Sequence, residues 1–251
     1  MKKLLLVVFL LLPNFAFGQV NIESIRTGSK SDDLIWGEVK GGLEIQRGNV
    51  DITSMDLSLN THFKASEHHI FFQGKTARGM QSGETFKNAS FGHLRWTWMP
   101  WQSIGAEIFT QIQHDEFKSL QIRHLKGIGL RSEFFHYETF KLSIGTGVMT
   151  DYEQIDSDQR KTDVRSTSYL SLIKSFGEKK KNLIMATIYY QPLFDNPEDY
   201  RINLEANLRT VLISSWNISL DNSINFLYDT RPPEGILTND LIVKTSLVYS
   251  W

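Results

Sequence analysis

His114, Ser119 and His124 are the residues of this chain best suited by type and spacing to nucleophilic chemistry. An imidazole can take the proton of a serine hydroxyl as its oxygen attacks an ester carbonyl. His93 is a further imidazole of this kind. The spacing carries little, because five-residue intervals recur by chance and no local Ser–His motif surrounds these residues. His68 and His69 beside Glu67 offer three metal donors in a row. Successive side chains of a strand point to opposite faces, so these donors do not converge, and a turn is the simpler reading. No Gly-rich loop ending in Lys-Ser or Lys-Thr is present to cradle a phosphate. The sequence therefore assigns no catalytic residue, no metal ligand and no cofactor.

A second set stands out by its period. Glu38, Lys40, Glu44, His93, Arg95, Glu107, Arg123, Arg131, Glu133, Lys141, Arg165, Arg201, Glu205, Arg209 and Lys244 each lie on the polar side of an alternating stretch. Charges gathered on one side either pair with one another and fill a space, or line a passage that selects solutes by charge. Nine of the fifteen are basic and five acidic, which leans toward anionic solutes.

The elements that must position them are strands. From Tyr200 to Arg209, Tyr, Ile, Leu, Ala and Leu alternate with Arg, Asn, Glu, Asn and Arg. Ser215 to Tyr228 repeats the pattern, with Trp216, Ile218, Leu220, Ile224 and Phe226 on the apolar side. Period two gives a strand with one apolar and one polar face. The pattern predicts about twelve strands, over 34–47, 50–65, 68–79, 84–99, 102–114, 119–135, 139–152, 162–176, 181–191, 199–210, 214–228 and 239–251. Many exceed the mean soluble strand of about 5–6 residues and meet the roughly 9–11 needed to cross a bilayer at a tilt.

Composition bounds the class. The 251 residues hold 27 Lys+Arg against 28 Asp+Glu, a formal charge of -1, which gives nucleic acid no basic surface. The absence of Cys excludes a disulfide framework, a thiolate metal site and a cysteine nucleophile. Mean hydropathy of -0.26 and a single apolar run too short to span a bilayer exclude a helical-bundle membrane protein. They do not exclude a membrane β-barrel, whose alternating strands average to near neutral. Lys2 and Lys3, the apolar run Leu4 to Leu12 and the small-x-small site Ala16-Phe17-Gly18 form a secretory signal peptide, with cleavage expected near Gly18. The expected organisation is a signal peptide over 1–18, a polar lead-in over 19–33 and a barrel over 34–251.

Three features favour a membrane barrel over a soluble periplasmic binding barrel. The chain ends Leu241, Val243, Thr245, Leu247, Tyr249, Trp251, apolar at nearly every second position with a terminal aromatic. Such an end resembles the signal read by the outer-membrane barrel-assembly machinery. Aromatics gather at strand ends, with Trp96, Trp98 and Trp101 at one short turn and Phe134, Phe135, Tyr137 and Phe140 at another. They suit an interfacial girdle, to which Trp36 and Trp251 are also assigned. The opposite face carries charge that an apolar ligand cavity would tolerate poorly. Short links after 65, 99, 136 and 177 alternate with longer ones at 151–161, 192–198 and 229–238, as between the periplasmic and outer ends of such barrels.

Three ordered motifs carry a family resemblance. They are Gly42-Leu43-Glu44-Ile45-Gln46-Arg47-Gly48-Asn49-Val50-Asp51, Asp115-Glu116-Phe117-Lys118-Ser119-Leu120 with Arg123 and Gly127-Ile128-Gly129-Leu130 beyond it, and Tyr228-Asp229-Thr230-Arg231-Pro232-Pro233-Glu234-Gly235. Over about residues 37 to 251 the chain resembles the bacterial salt-induced outer-membrane protein family, domain-of-unknown-function family 481. The resemblance implies an outer-membrane β-barrel and supplies no substrate, activity or catalytic residue. Residue by residue, Gly48-Asn49 suits a two-residue hairpin turn. Gly127, Gly129, Gly145 and Gly147 fall on the lumen side, where they let strands bend or let Arg123 and Arg131 lie across the wall. Asp229 and Arg231 suggest a self-paired outer loop.

The sequence thus predicts an all-β, antiparallel, up-and-down transmembrane barrel in the bacterial outer membrane, either a narrow small-solute channel or a structural barrel of the stressed envelope. The expected partners are outer-membrane lipid, the barrel-assembly machinery through the last strand, and periplasmic chaperones, with no nucleic acid. The second function class is an outer-membrane lipid hydrolase using a Ser–His pair near the outer rim, and the third is the soluble periplasmic barrel.

Overall fold

In a computed structural model, the described residues are 34–251 except 47–51, 102, 156–158, 179–180 and 233–234. The segments expected to form the signal peptide, the polar lead-in and the Gly48-Asn49 turn lie outside them. Twelve antiparallel strands follow in chain order: β1 (Ile35–Gln46), β2 (Ile52–Ala65), β3 (His68–Gln81), β4 (Glu84–Trp98), β5 (Ile104–Asp115), β6 (Leu120–Tyr137), β7 (Phe140–Gln154), β8 (Arg160–Phe176), β9 (Asn182–Pro192), β10 (Tyr200–Ile213), β11 (Ile218–Asp229) and β12 (Asn239–Ser250). Each pairs with its sequence neighbours, and β12 returns to β1 to close a barrel. An even strand number places both ends of the barrel chain, Ile35 and Trp251, at one rim, here called the terminal end. The other rim is the far end.

Closure rests on a short seam. The β1–β12 register runs only from Glu38↔Ser250 to Gly41↔Leu247, whereas β1 and β2 pair from Ile35↔Phe63 to Gln46↔Ile52. Two backbone bonds extend the seam at the terminal rim, Gly37 N–H to the Trp251 carbonyl at 3.2 Å and Trp251 N–H to the Gly37 carbonyl at 3.0 Å. A Cβ on Gly37 would overlap the Trp251 ring, so only glycine admits that ring beside the backbone.

The alternation in sequence becomes an inside-out partition. Leu43, Met55, Leu57, Leu94, Ile108, Ile128, Ile144, Leu208, Val243 and Leu247 face outward and are exposed, Ile128 to 63%. Glu38, Arg95, Glu107, Arg123, Arg131, Arg165, Arg201, Glu205 and Arg209 face inward and are buried. A soluble barrel has the opposite arrangement, because a continuous apolar exterior in water forfeits the burial that drives folding. The inner face is not wholly polar. Phe71, Leu125, Met149, Met185 and Val248 are among its most deeply buried side chains. Phe109, Leu125 and Met149 form one apolar cluster inside, and Ile173, Leu183 and Met185 form another.

Three local expectations are corrected. Ser214–Trp216 is a 3-10 turn capped by Asn217 at φ 52, so β11 starts at Ile218 and Trp216 projects from the rim, 66% exposed. Asparagine tolerates that left-handed conformation better than most residues, and there the strand period stops. Trp36 is not in the outer girdle. It points into the barrel, buried, and lies flat against the His62 ring with centroids 4.9 Å apart. The link after β3 is a two-residue turn, Ser82 at φ 50 and Gly83 at φ 88, whose paired positive φ values match the twist of the flanking strands. With the 3-10 turn at Glu116–Lys118, it makes two tight links on the side expected to carry longer loops.

A filled ionic lumen as the candidate functional site

Inward-facing charges from non-adjacent strands meet in three main groups. Near the terminal end, Arg209 of β10 reaches Glu38 of β1, with Nη1 donating to Oε2 at 2.6 Å and Nη2 to Oε1 at 3.2 Å. Its Nη2 also donates to Asp221 Oδ2 of β11 at 2.9 Å, and Lys40 Nζ donates to the same oxygen at 2.6 Å. Asn60 donates to Glu38 Oε1 at 2.9 Å, and Gln73 donates to Asn60 at 2.6 Å. The Arg209–Glu38 and Lys40–Asp221 pairs straddle the β1–β12 seam from inside. A third pair crosses it nearer the far end, where Lys244 of β12 meets Asp56 of β2 at 3.2 Å and Lys87 donates to Asp56 at 2.6 Å.

On the opposite wall, Arg95 donates to Glu107 Oε2 at 3.0 Å. The hydroxyl of Tyr169, three strands away from Glu107, donates to the same oxygen at 2.9 Å. Arg131 donates to the Tyr169 oxygen at 3.0 Å, to Ser143 at 2.9 Å and to Glu133 at 3.3 Å. The glycines of β6 and β7 make room for this group. A Cβ on Gly127 would strike the Phe109 ring, and one on Gly145 would strike the Tyr169 ring. Aromatic rings, rather than Arg123 and Arg131, therefore lie across these glycines.

The largest group closes the far end. Asp151 of β7 accepts from Arg123 at 2.7 Å and from Arg201 of β10 at 2.6 Å. Arg201 also donates to Asp229 at 2.6 Å and Glu153 at 2.9 Å. Arg165 donates to Asp199 at 2.8 Å and is 1% exposed. Asp229 thus pairs with Arg201, and the Arg231 it was expected to pair with contributes only its backbone N–H, at 2.9 Å. Several hydrogen bonds and opposite charges around each ion offset the cost of taking it out of water.

The inward set contains every charged candidate whose side chain is described. Lys141 and Lys244 are half-buried at its edges, and Asn207 donates to Glu205 at 2.8 Å. The Glu44 side chain lies outside the described residues. Sequence reasoning missed Asp56, Asp115, Asp151, Glu153, Asp163, Asp199, Asp221 and Asp229, which share the inward face. Against them the structure adds the inward cations Lys75 and Lys87. The basic surplus, and with it the lean toward anionic solutes, disappears. Strand parity alone would have found these acids.

Sequence reasoning also missed an aromatic and imidazole strip on β1 to β5. His62 Nδ1 and His69 Nε2 lie 3.2 Å apart, with ring centroids 5.4 Å apart in planes 10° apart. A centroid separation that much longer than the N···N distance means that the rings meet edge to edge. Trp36 covers both rings. Beyond them, Phe71 leads to His93, which contacts Gln111 Oε1 at 3.0 Å and stacks on Phe109. His68 and His69 do face opposite ways, His68 outward against Trp96. Among the described residues, His114 meets the Gln121 carbonyl and His124 meets the Thr110 hydroxyl, both at 2.9 Å. Ser119 is held in the left-handed cap of the 3-10 turn, its N–H donating to the Glu116 carbonyl. Leu241, Val243, Leu247, Tyr249 and Trp251 all stand on the outer face.

The profile of a family described as "Protein of unknown function, DUF481" matches residues 39–251. No curated protein matches the chain in sequence. Among solved structures it is similar to a NanC porin, at 10% identity over 86% of this chain and 97% of that one, with a TM-score of 0.46. It is similar to LpxR from Salmonella typhimurium at 6% identity over 86% and 99%, with a TM-score of 0.45. The translocator domain of the autotransporter NalP from Neisseria meningitidis matches at 10% identity over 86% and 86%, with a TM-score of 0.43.

Proposed function

The chain belongs to the DUF481 family, and from that premise we propose that it is a bacterial outer-membrane barrel with a structural role, its lumen closed to solutes. The terminal end faces the periplasm and the far end faces outward. The observation that carries this reading is the burial of the inner face. Side chains from strands three apart, such as Arg209 with Glu38 and Tyr169 with Glu107, meet inside the barrel. Residues as large as Arg165, Phe71 and Gln73 retain almost no exposure. A pore wall would leave its charged groups wet. Twelve strands lie between the small barrels that side chains fill and the large ones that hold water, and here the fill reaches both ends.

In this reading the chain is exported by a signal peptide cleaved near Gly18, escorted by periplasmic chaperones, and inserted by the barrel-assembly machinery acting on β12. It performs no catalysis. Planar-bilayer recording of the refolded mature chain tests the closed lumen. The expected trace stays at the bare-membrane baseline, and regular conductance steps with charge selectivity would show a channel instead.

A further inference from the structure

The two faces of the wall differ in the sign of their charge as well as in polarity. Among the described side chains of the strands the carboxylates point inward, apart from Glu84 at the β3–β4 turn. The charges that point outward are otherwise basic: Arg78, Lys126, Arg160 and Lys174. Arg78 and Lys126 are exposed, and their side chains meet no hydrogen-bond or ion-pair partner among the described residues, Lys126 giving only its carbonyl, to Thr150. An unpaired cation on the hydrocarbon face of a barrel is costly at mid-membrane and tolerated at the interface, so the height of each decides what it meets.

Register gives that height. Lys126 lies eight residues above Phe134, in the girdle at the terminal end of β6. Arg78 pairs with Asn88, ten residues above Trp98 at the terminal end of β4. At about 3.3 Å per residue and a tilt near 40°, these are rises of about 20 and 25 Å. The apolar band of such barrels is about 25 Å tall, and a lysine stem can extend several ångströms further toward the headgroups. Both cations therefore reach the headgroup plane at the far end. Arg160 lies higher, in water, and Lys174 lies at the opposite interface.

The neighbours of Lys126 on the outer face are hydroxyl-bearing, since it pairs with Thr110 on β5 and Thr150 on β7. Beside Arg78 stand Asn88, whose amide donates to the Glu116 carboxylate at 2.8 Å, and, one step along β4, Ser90. The opposite wall differs. From its far end downward, the outer face of β10 runs Tyr200, Ile202, Leu204, Ala206 and Leu208. The two outward cations at headgroup height at the far end thus stand on β3 and β6.

We propose that the outer face of β3–β7 docks a phosphorylated glycolipid of the outer leaflet, with Arg78 and Lys126 meeting its phosphates. This rests on the membrane orientation proposed above. Charge complementarity selects the occupant, because a phosphate-free lipid or a neutral partner leaves two cations unpaired at the interface.

The test uses the refolded mature chain in detergent micelles and reads bound lipid by native mass spectrometry, with lipid A and dephosphorylated lipid A as probes. The wild type should prefer lipid A by at least tenfold. R78Q and K126Q should each weaken binding about fivefold, and the double variant about 25-fold. Both sites are exposed, so the variants should keep the heat-modifiable gel shift of the folded barrel. Equal binding of the dephosphorylated probe, or no change in the double variant, would overturn the proposal. Complete competition by millimolar inorganic phosphate would also overturn it, showing a free-anion site. Insertion into phosphatidylcholine vesicles is scored separately. A wild type that stays soluble there defeats the membrane reading itself, whereas insertion without phosphate preference defeats only the docking surface.

Discussion

Replacing Arg209 with Gln leaves two carboxylates inside the barrel beside the seam. Glu38 loses both guanidinium bonds and keeps Asn60 at 2.9 Å and Lys40 at 3.8 Å. Asp221 keeps Lys40 at 2.6 Å. One lysine now serves two acids. Breaking a buried pair from one side costs about 3–5 kcal/mol, and the remaining lysine places R209Q near the lower end, about 3 kcal/mol. Replacing Glu38 with Gln leaves Arg209 paired to Asp221 alone and should cost about 2 kcal/mol. The double variant removes one contact once, so it should cost about 3 kcal/mol rather than the sum of about 5, a coupling of about 2 kcal/mol. Urea unfolding of the barrel in lipid vesicles, followed by tryptophan emission, measures all four corners of the cycle. Buried Trp36 on the same wall reports the loss of the interior. If the two single effects add to within about 0.5 kcal/mol, the residues do not act together and the cross-lumen pairing is refuted.

Tyr169→Phe removes the hydroxyl that joins Glu107 to Arg131 and should cost about 1–3 kcal/mol in the same titration. Phe109→Leu, an apolar exchange inside the barrel, should cost less than about 2 kcal/mol and keep the gel shift. Gly145→Val must displace the Tyr169 ring, and a loss of about 1–3 kcal/mol is expected, with slower refolding. Gly37→Val, which pushes the Trp251 ring from the seam, should lower the yield of folded barrel in vesicles. An unchanged yield would show that the ring's position there is unimportant.

Much of the architecture was legible because a strand reveals its two faces directly. In β10, Arg201, Glu205 and Arg209 could be assigned inward from alternation alone, and they are. The places that escaped are those where something other than period two decides. Trp216 continues the alternation on paper, but Asn217 takes a left-handed conformation and ends the pattern. Trp36 has the type and position of a girdle residue, yet its parity is that of Glu38 and Lys40, and parity prevails. The interior acids were overlooked for a different reason. Aspartate disfavours strands, so Asp151 and Asp229 read as the first residues of loops when they are counter-charges of the buried arginines, and Asp221, on the polar side of its strand, was not counted among the lumen charges. Which acid each arginine would take could not be read, because partners such as Glu38 and Arg209 lie 171 positions apart and depend on how the cylinder closes.

The brevity of the seam sets a timetable for assembly. Gly37 exchanges backbone bonds with Trp251, so the ring cannot be completed until Trp251 is in place beside β1. Every earlier strand pair is local and can form as a growing sheet, while this last one joins residues about 210 positions apart and carries the full loop-closure penalty. Until then β1 and β12 are open edges prone to mispairing, which makes the interval before closure the most hazardous in the life of the chain.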